Sequence, residues 1–271
     1  VSSLYDSFTF QEDGHLTEML FAEYVDLNLR FVPVIRRVST AEEAIERVGA
    51  EQFDLVITMP RVGEMDVFAF GAAVKSAHPD LPVVLLAYDT RELALLRERE
   101  ALAPAGEAHI DRMFVWQGDA RLFLAIIKWA EDHANAVHEA FTAGVKSIVL
   151  VEDSVRFYSA YLPLLYTEIV KQTQALMAEG VNRMQKLMRM RARAKILLAS
   201  TYEEGEAIFS KHREHVLGVI VDARFPRGGV TSGSAGVEFT QMVKASDPEI
   251  PVLMQSSEPD NAAVAAAVGA D

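Results

Sequence analysis

Three carboxylates stand where short apolar runs end. Glu152 and Asp153 close the run 147–151, and Asp222 follows the run 217–221. Val/Ile/Leu runs of this length read as buried parallel strands. In doubly wound sheets, ligands gather outside the carboxyl ends of such strands. If the two strands lie side by side, their acids converge. Clustered carboxylates repel one another, and a hard divalent cation neutralises that cost. Magnesium suits the set, because one or two carboxylates, waters and a phosphoryl oxygen complete its octahedron. A solvated strand end with ordinary acidic caps explains any one of these residues alone, but not all three at these strand ends.

The elements that must position the acids alternate in type. Residues 195–199 and 252–255 form two more apolar runs, with helical stretches between the runs. Thr201 and Glu204 have the spacing of a capping box that opens one of those helices. Such alternation implies right-handed crossovers and a parallel sheet covered by helices. The pattern occurs twice. Ser39-Thr40-Ala41-Glu42-Glu43 resembles Ser200-Thr201-Tyr202-Glu203-Glu204, and Val74-Lys75 with Leu81-Pro82-Val83 resembles Val243-Lys244 with Ile250-Pro251-Val252. Between these anchors, Leu55 to Met59 lies opposite Gly218 to Asp222. The offset between copies grows slowly along the chain, as loop insertions in a duplicated domain would make it. Its largest jump falls in the Gly/Ser-rich stretch 228–236, which reads as a flexible insertion without the lysine of a phosphate loop. The expected organisation is an α/β chain of two domains, 1–140 and 145–271. Residues 120–141 form the last helix of the first, and Gly144 is its C-cap.

Composition narrows the classes. The 271 residues suit two domains, and half of them are hydrophobic. There is no cysteine, which excludes disulfides and cysteine-based metal or redox sites. A net charge of −13 argues against a general nucleic-acid-binding surface. No apolar run approaches the ~18 residues that a membrane span needs. No secretory pattern is present either, so the expected location is the cytoplasm.

The acid-bearing segments resemble the receiver domains of two-component response regulators. Ile148-Val149-Leu150-Val151-Glu152-Asp153-Ser154 looks like their first strand with its acidic pair. Val219-Ile220-Val221-Asp222-Ala223-Arg224-Phe225-Pro226 looks like the phosphoacceptor strand and the proline-containing loop after it. Gly236-Val237-Glu238-Phe239 resembles the next helix start, and Pro251 to Ser257 the fourth strand with its switch hydroxyl. Val268-Gly269-Ala270-Asp271 resembles the segment before a fifth strand. The resemblance implies two flavodoxin-like domains, the second with an extended first helix. It implies that Asp222 accepts a phosphoryl group from a sensor histidine kinase, a phosphotransfer protein or a small phosphodonor. Glu152, Asp153, Asp222 and the backbone carbonyl of Arg224 would hold Mg2+, and Ser256 would contact the phosphoryl group. Catalysis would be limited to self-phosphorylation and self-dephosphorylation, so the chain is not expected to be an enzyme in the ordinary sense. The wider pattern is closest to tandem-receiver segments upstream of phosphoenolpyruvate-synthase-like, PEP/pyruvate-binding regions.

The resemblance is incomplete in places. The family's lysine would lie beyond Asp271, and only the last residue of a first strand is present before Ser2, so the sequence reads as a fragment. In the first copy Ser2 and Ser3 replace the acidic pair, Met59 the phosphoacceptor, Ala87 the switch hydroxyl and Trp116 the lysine. Methionine cannot be phosphorylated, and a displaced role for Asp6 is the weaker reading beside an ordinary cap or turn. The first domain therefore reads as a pseudo-receiver kept for contacts.

Other features carry blander expectations. Apolar residues from Leu162 to Met188 recur near heptad spacing, predicting a helix over 159–191. Its distal half, with Val181, Met184, Leu187 and Met188, is expected to pack on another chain as a homodimer or on the first domain. Arg183, Lys186, Arg189, Arg191, Arg193 and Lys195 read as a solvated basic helix end. His212 and His215 share a helical face without a third ligand and read as surface residues. Trp116 and Trp129 read as core. Two other functions compete: a non-catalytic interaction scaffold, and a phosphatase with an aspartate nucleophile. The second lacks the acid such enzymes usually carry two residues on, where Arg224 stands.

Overall fold

The computed structural model describes residues 1–2, 16–27, 29, 32–101, 109–178, 193–258 and 261–270. The fold is α/β, and its chain forms two compact units. The first comprises Val1–Ala130 with Ser159–Pro163, and the second Glu131–Tyr158 with Leu164–Asp271.

In the first unit, α1 (Leu16–Asp26), α2 (Ala41–Ala50), α3 (Val67–Ala77) and α4 (Thr90–Ala101) alternate with strands β1 (Val56–Thr58), β2 (Val83–Ala87) and β3 (Arg112–Val115). The strands pair in parallel in the order β1-β2-β3. Extended backbone carries the ladder past β1: Met59 N–H donates to the Val1 carbonyl at 3.0 Å, and Ser2 N–H to that of Val38 at 3.1 Å. The long helix α5 (Arg121–Ala143) follows and ends at Gly144, whose positive φ of 64° suits its role as C-cap.

The second unit contains β4 (Ser147–Val151), α6 (Val155–Ala178), β5 (Lys195–Ala199), α7 (Tyr202–His212), β6 (Val216–Asp222), β7 (Phe225–Arg227), β8 (Val230–Ser232), α8 (Ala235–Ser246), β9 (Val252–Gln255) and α9 (Asn261–Ala267). Its main sheet is parallel in the order β5-β4-β6-β9, the first four strands of the flavodoxin-like order. One face buries Val149, Val151, Val219, Val221 and Val252 under Phe209, Phe239 and Val243 of α7 and α8. Alternation along each strand places these side chains on the same face.

The same hydrogen bonds recur at positions that the sequence repeat pairs. Thr40 caps α2 by accepting from Glu43 N–H at 3.2 Å, and Thr201 caps α7 by accepting from Glu204 N–H at 3.2 Å. The two glutamates reach back to the N–H groups of Ser39 and Ser200. Val56 N–H donates to the Pro82 carbonyl, and Val219 N–H to that of Pro251, both at 2.9 Å. Lys75 Nζ bonds the Pro79 carbonyl, as Lys244 Nζ bonds that of Pro248. Ser2 N–H to Val38 corresponds to Glu152 N–H to Ala199.

Three expectations are corrected. Arg193 and Lys195 are not a solvated basic end. Asp132 of α5 is fully buried, and the Arg193 and Lys195 side chains that meet it are only 11% and 7% exposed. Arg193 grips both Asp132 oxygens, Tyr166 Oη donates to Oδ2 at 3.1 Å, and Ile196 N–H donates to Oδ2 at 2.9 Å. Lys195 also pairs with Glu139 at 2.9 Å. The arginine wins burial because a buried carboxylate must be paired, and a guanidinium satisfies both its oxygens at once. Second, the stretch 228–236 is not a flexible insertion: it forms the turn and second strand of the antiparallel hairpin β7–β8 and runs into the start of α8. Gly228 and Gly229, at φ 59° and 80°, supply the paired positive angles of a two-residue turn that matches strand twist. Third, His212 is buried rather than on the surface.

Helix α6 begins at Val155, earlier than expected, and holds Pro163 inside it. The proposed packing half with Val181, Met184, Leu187 and Met188, and the basic residues Arg183 to Arg191, lie outside the described residues, as does Asp6. Of the two tryptophans, Trp129 is buried and Trp116 only half-buried, with its ring 5.5 Å from that of Phe123. Among the described residues, no helix is long and apolar enough to cross a membrane.

The Asp132 cluster yields a stability prediction. Asp132→Ala leaves Arg193 buried without its counter-charge, at an expected cost of about 3–5 kcal/mol. Chemical denaturation of the two proteins side by side measures it, and a loss below about 1 kcal/mol would show that the cluster relaxes to solvent.

Candidate functional site

The parallel register decides where the acids meet. Val151 of β4 pairs with Val221 of β6, so the residues after them, Glu152 and Asp222, leave adjacent strands at the same level. Asp153 follows in the turn before α6. One carboxylate oxygen from each of Glu152, Asp153 and Asp222 lies within 4.8 Å of the others. The three acids singled out in the sequence are therefore brought together.

Glu152 and Asp222 are each held by their own turn. The Glu152 side chain is 1% exposed and accepts from Ser154 N–H at 2.9 Å. Its backbone N–H continues the β4–β5 ladder to the Ala199 carbonyl. Asp222 Oδ1 accepts from Ala223 N–H at 2.8 Å, and the Arg224 N–H also points to this carboxylate. Ala223 N–H is shared with the Gln255 carbonyl of β9, at 2.9 Å. Gly236 lets α8 start against this strand end: a Cβ there would stand 2.4 Å from the Asp222 carbonyl oxygen and 2.8 Å from Ala223 Cα. Only glycine permits that approach.

Electrostatics follow from burial and like charge. Burial pushes the Glu152 carboxyl up to about 7; the Ser154 N–H opposes this, while Asp222 and Asp153 add to it. Burial also raises Asp222, opposed by the N–H groups of Ala223 and Arg224 and reinforced by Asp153. The Arg224 guanidinium is exposed and pairs with Glu258 at 3.1 Å.

The remaining predicted residues sit at the rim. Ser256 follows Gln255, the ladder partner of Asp222. Its exposed Oγ accepts from Glu258 N–H at 3.0 Å and from Asn261 Nδ2 at 2.7 Å, and so ties the loop to the start of α9. The hydroxyl proton remains a donor of its own. In the first unit the equivalent strand ends carry no acid: Met59 is buried, Ala87 is buried at the end of β2, and Ser2 takes the ladder position of Glu152.

No family model matches the chain. No curated protein matches it. Among solved structures, two described as two-component system response regulator/GGDEF domain proteins are similar, at 16% and 17% identity. Their TM-scores are 0.33 and 0.32, and each match covers 94% of this chain and 85% of the other. A third is GanP, a glucose-galactose binding protein from Geobacillus stearothermophilus. It is 12% identical with a TM-score of 0.28, and the match covers 94% of this chain and 77% of that one.

Sequence reading missed the hairpin that follows Asp222, although Gly228-Gly229 between short β-prone segments was a usable signal. It also missed the depth of Glu152, for which no local signal exists.

The raised carboxyls set a pH dependence. Glu152 and Asp222 bind a proton more tightly folded than unfolded, so without a divalent cation stability falls as pH rises from about 4.5 towards about 7. Glu152→Gln removes one charge and keeps the shape. In metal-free buffer near pH 8 it is expected to raise the melting temperature by a few degrees, roughly 1 kcal/mol. A melting temperature below that of the wild type would mean that the charged form is stabilised in the fold.

Proposed function

We propose that the second unit is a receiver domain of two-component signal transduction that accepts a phosphoryl group on Asp222. The observation that carries this reading is the meeting of Glu152, Asp153 and Asp222 within 4.8 Å at the carboxyl end of a parallel β5-β4-β6-β9 sheet. Three carboxylates this close concentrate negative charge, and the exposed guanidinium of the neighbouring Arg224 pairs with Glu258. That excess of negative charge fits a hard divalent ion.

Glu152, Asp153 and Asp222, with the Arg224 carbonyl, would hold Mg2+. Bound there, the ion supplies positive charge against the transferring phosphoryl group. The chain's own groups do the rest by position. Asp222, ionised, attacks phosphorus; a P–O bond forms to its carboxylate as the P–N bond of a phosphohistidine donor breaks, or the P–O bond of an acyl phosphate. The leaving group keeps the electron pair. Ala223 and Arg224 orient the attacking carboxylate through their N–H groups, and Ser256 turns its hydroxyl proton to a phosphoryl oxygen. Water later attacks phosphorus, the P–O bond to the carboxylate breaks, and inorganic phosphate leaves the free aspartate behind. The phosphoryl group adds a charge of about −1.5 to −2, which biases the surrounding loops and signals to an output region. The partner in this reading is a sensor histidine kinase or a phosphotransfer protein.

The first unit, with the same capping and ladder bonds but Met59 at the acceptor position, is a receiver fold without the acid chemistry. It serves contacts.

Intact-mass measurement after treatment with acetyl phosphate and magnesium is expected to show one phosphoryl addition, absent in Asp222→Asn. Addition that survives the change places the acceptor elsewhere. Calorimetry with magnesium alone should show binding that weakens at least about tenfold in Asp153→Ala, or ~1.4 kcal/mol. Equal affinity in the two proteins would remove Asp153 from the ligand set.

A further inference from the structure

The hairpin β7–β8 starts three residues after Asp222, and its contacts form a continuous mechanical path. At one end, the N–H groups of Ala223 and Arg224 hold the Asp222 carboxylate. Next, Phe225 is fully buried between two aromatic neighbours, 6.4 Å from the Tyr202 ring and 6.3 Å from that of Phe239. At the turn, the Arg227 guanidinium lies 4.3 Å from the Tyr202 ring centroid and pairs with Glu238 of α8. Gly228 N–H donates to Glu203 of α7 at 2.8 Å. At the exit, Ser234 N–H donates to the Ser232 hydroxyl, and the Ser234 hydroxyl to Glu238.

The path joins a rigid pivot to a weak clasp. Phe225 and its aromatic partners belong to the core, so they move as a body with α7 and α8. The Arg227–Glu238 pair is about half-exposed, and Glu203 and Gly228 are at the surface. Exposed contacts of this kind are each worth little and rearrange at low cost. A change in what Asp222 bonds to is therefore felt first where the hairpin is cheapest to shift.

We propose that the hairpin 225–232 is the element that reads the state of Asp222 and displays it at the start of α7, where Tyr202 and Glu203 hold its turn. This rests on the receiver reading above. A phosphoryl group brings three acceptor oxygens to the N–H groups of Ala223 and Arg224. The lead-in to β7 is drawn toward the site, and the pull reaches Arg227 through the three paired positions of the hairpin. The Arg227 clasp, already in place on Tyr202 and Glu238, is then held more tightly and opens less often.

Hydrogen–deuterium exchange on the full chain tests this, with magnesium plus beryllofluoride as the phosphoryl mimic and calorimetry on the same samples to show that the mimic binds. Exchange of amides in 223–232 is expected to slow by about fivefold when the mimic binds, the scale of one exposed ion pair and one cation–π contact. In Arg227→Ala the slowing should persist at 223 and 224 and vanish from 227 to 232. If the mimic binds and the wild-type hairpin amides do not respond, the inference fails and the receiver reading stands. If slowing across 227–232 survives in Arg227→Ala, transmission through the clasp is refuted. If neither magnesium nor the mimic binds the wild type, the receiver reading falls and takes the inference with it.

Discussion

The pairing of β4 with β6 is the constraint on which the site depends. Two parallel strands in register must end at the same level, and here each ends in acid. Nothing local asks Glu152 to be buried. The ladder puts it there, because its N–H is needed by Ala199 on one side while β6 closes the other. The apolar face beneath, from Val149 to Val252, locks that register: a slip of one residue would turn every buried valine outward.

The fold thus stabilises the strands and spends part of that stability on the acids. Burial raises Glu152 to about 7, with Asp222 and Asp153 adding to it, and raises Asp222 as well, with Asp153 adding to it. Backbone N–H groups from Ser154, Ala223 and Arg224 offset only part of the penalty. A structural role would be served as well by uncharged residues, and the first unit shows this. Its ladder places Ser2 and Met59 at the same strand ends and buries the methionine. Sites that keep a destabilising charge commonly do so for function.

The buried cluster around Asp132 shows the opposite use of charge. Arg193, Lys195, Tyr166 and the Ile196 N–H surround one carboxylate and leave it well satisfied. It ties α5 and α6 to the entry of β5, so the strand that flanks β4 is anchored at its amino end. The acid site at the carboxyl end and the ion cluster at the amino end treat carboxylates differently: backbone N–H groups hold Glu152 and Asp222, and cations surround Asp132.

Sequence by itself determined the strands, the repeat and the acids. The runs 147–151, 195–199 and 252–255 coincide with β4, β5 and β9, since a strand buried on both faces has a continuous apolar run as its signature. Thr201 with Glu204 announced its helix, because a cap is made by residues three apart, and Thr40 with Glu43 makes the same cap at the repeated position. The convergence of Glu152, Asp153 and Asp222 was also legible, because chain order and handedness leave few places for β4 and β6 to go. Only tertiary structure decided the partners of charged residues. Arg193 and Lys195 looked like a solvated basic tail, and the carboxylate that buries them comes from Asp132, some sixty residues earlier in the chain. The hairpin at Gly228-Gly229 looked loose until Phe225, Arg227 and Tyr202 were seen together. Local patterns report backbone geometry, which neighbours in sequence determine; a charge finds its partner through space, and spacing along the chain holds no record of that distance.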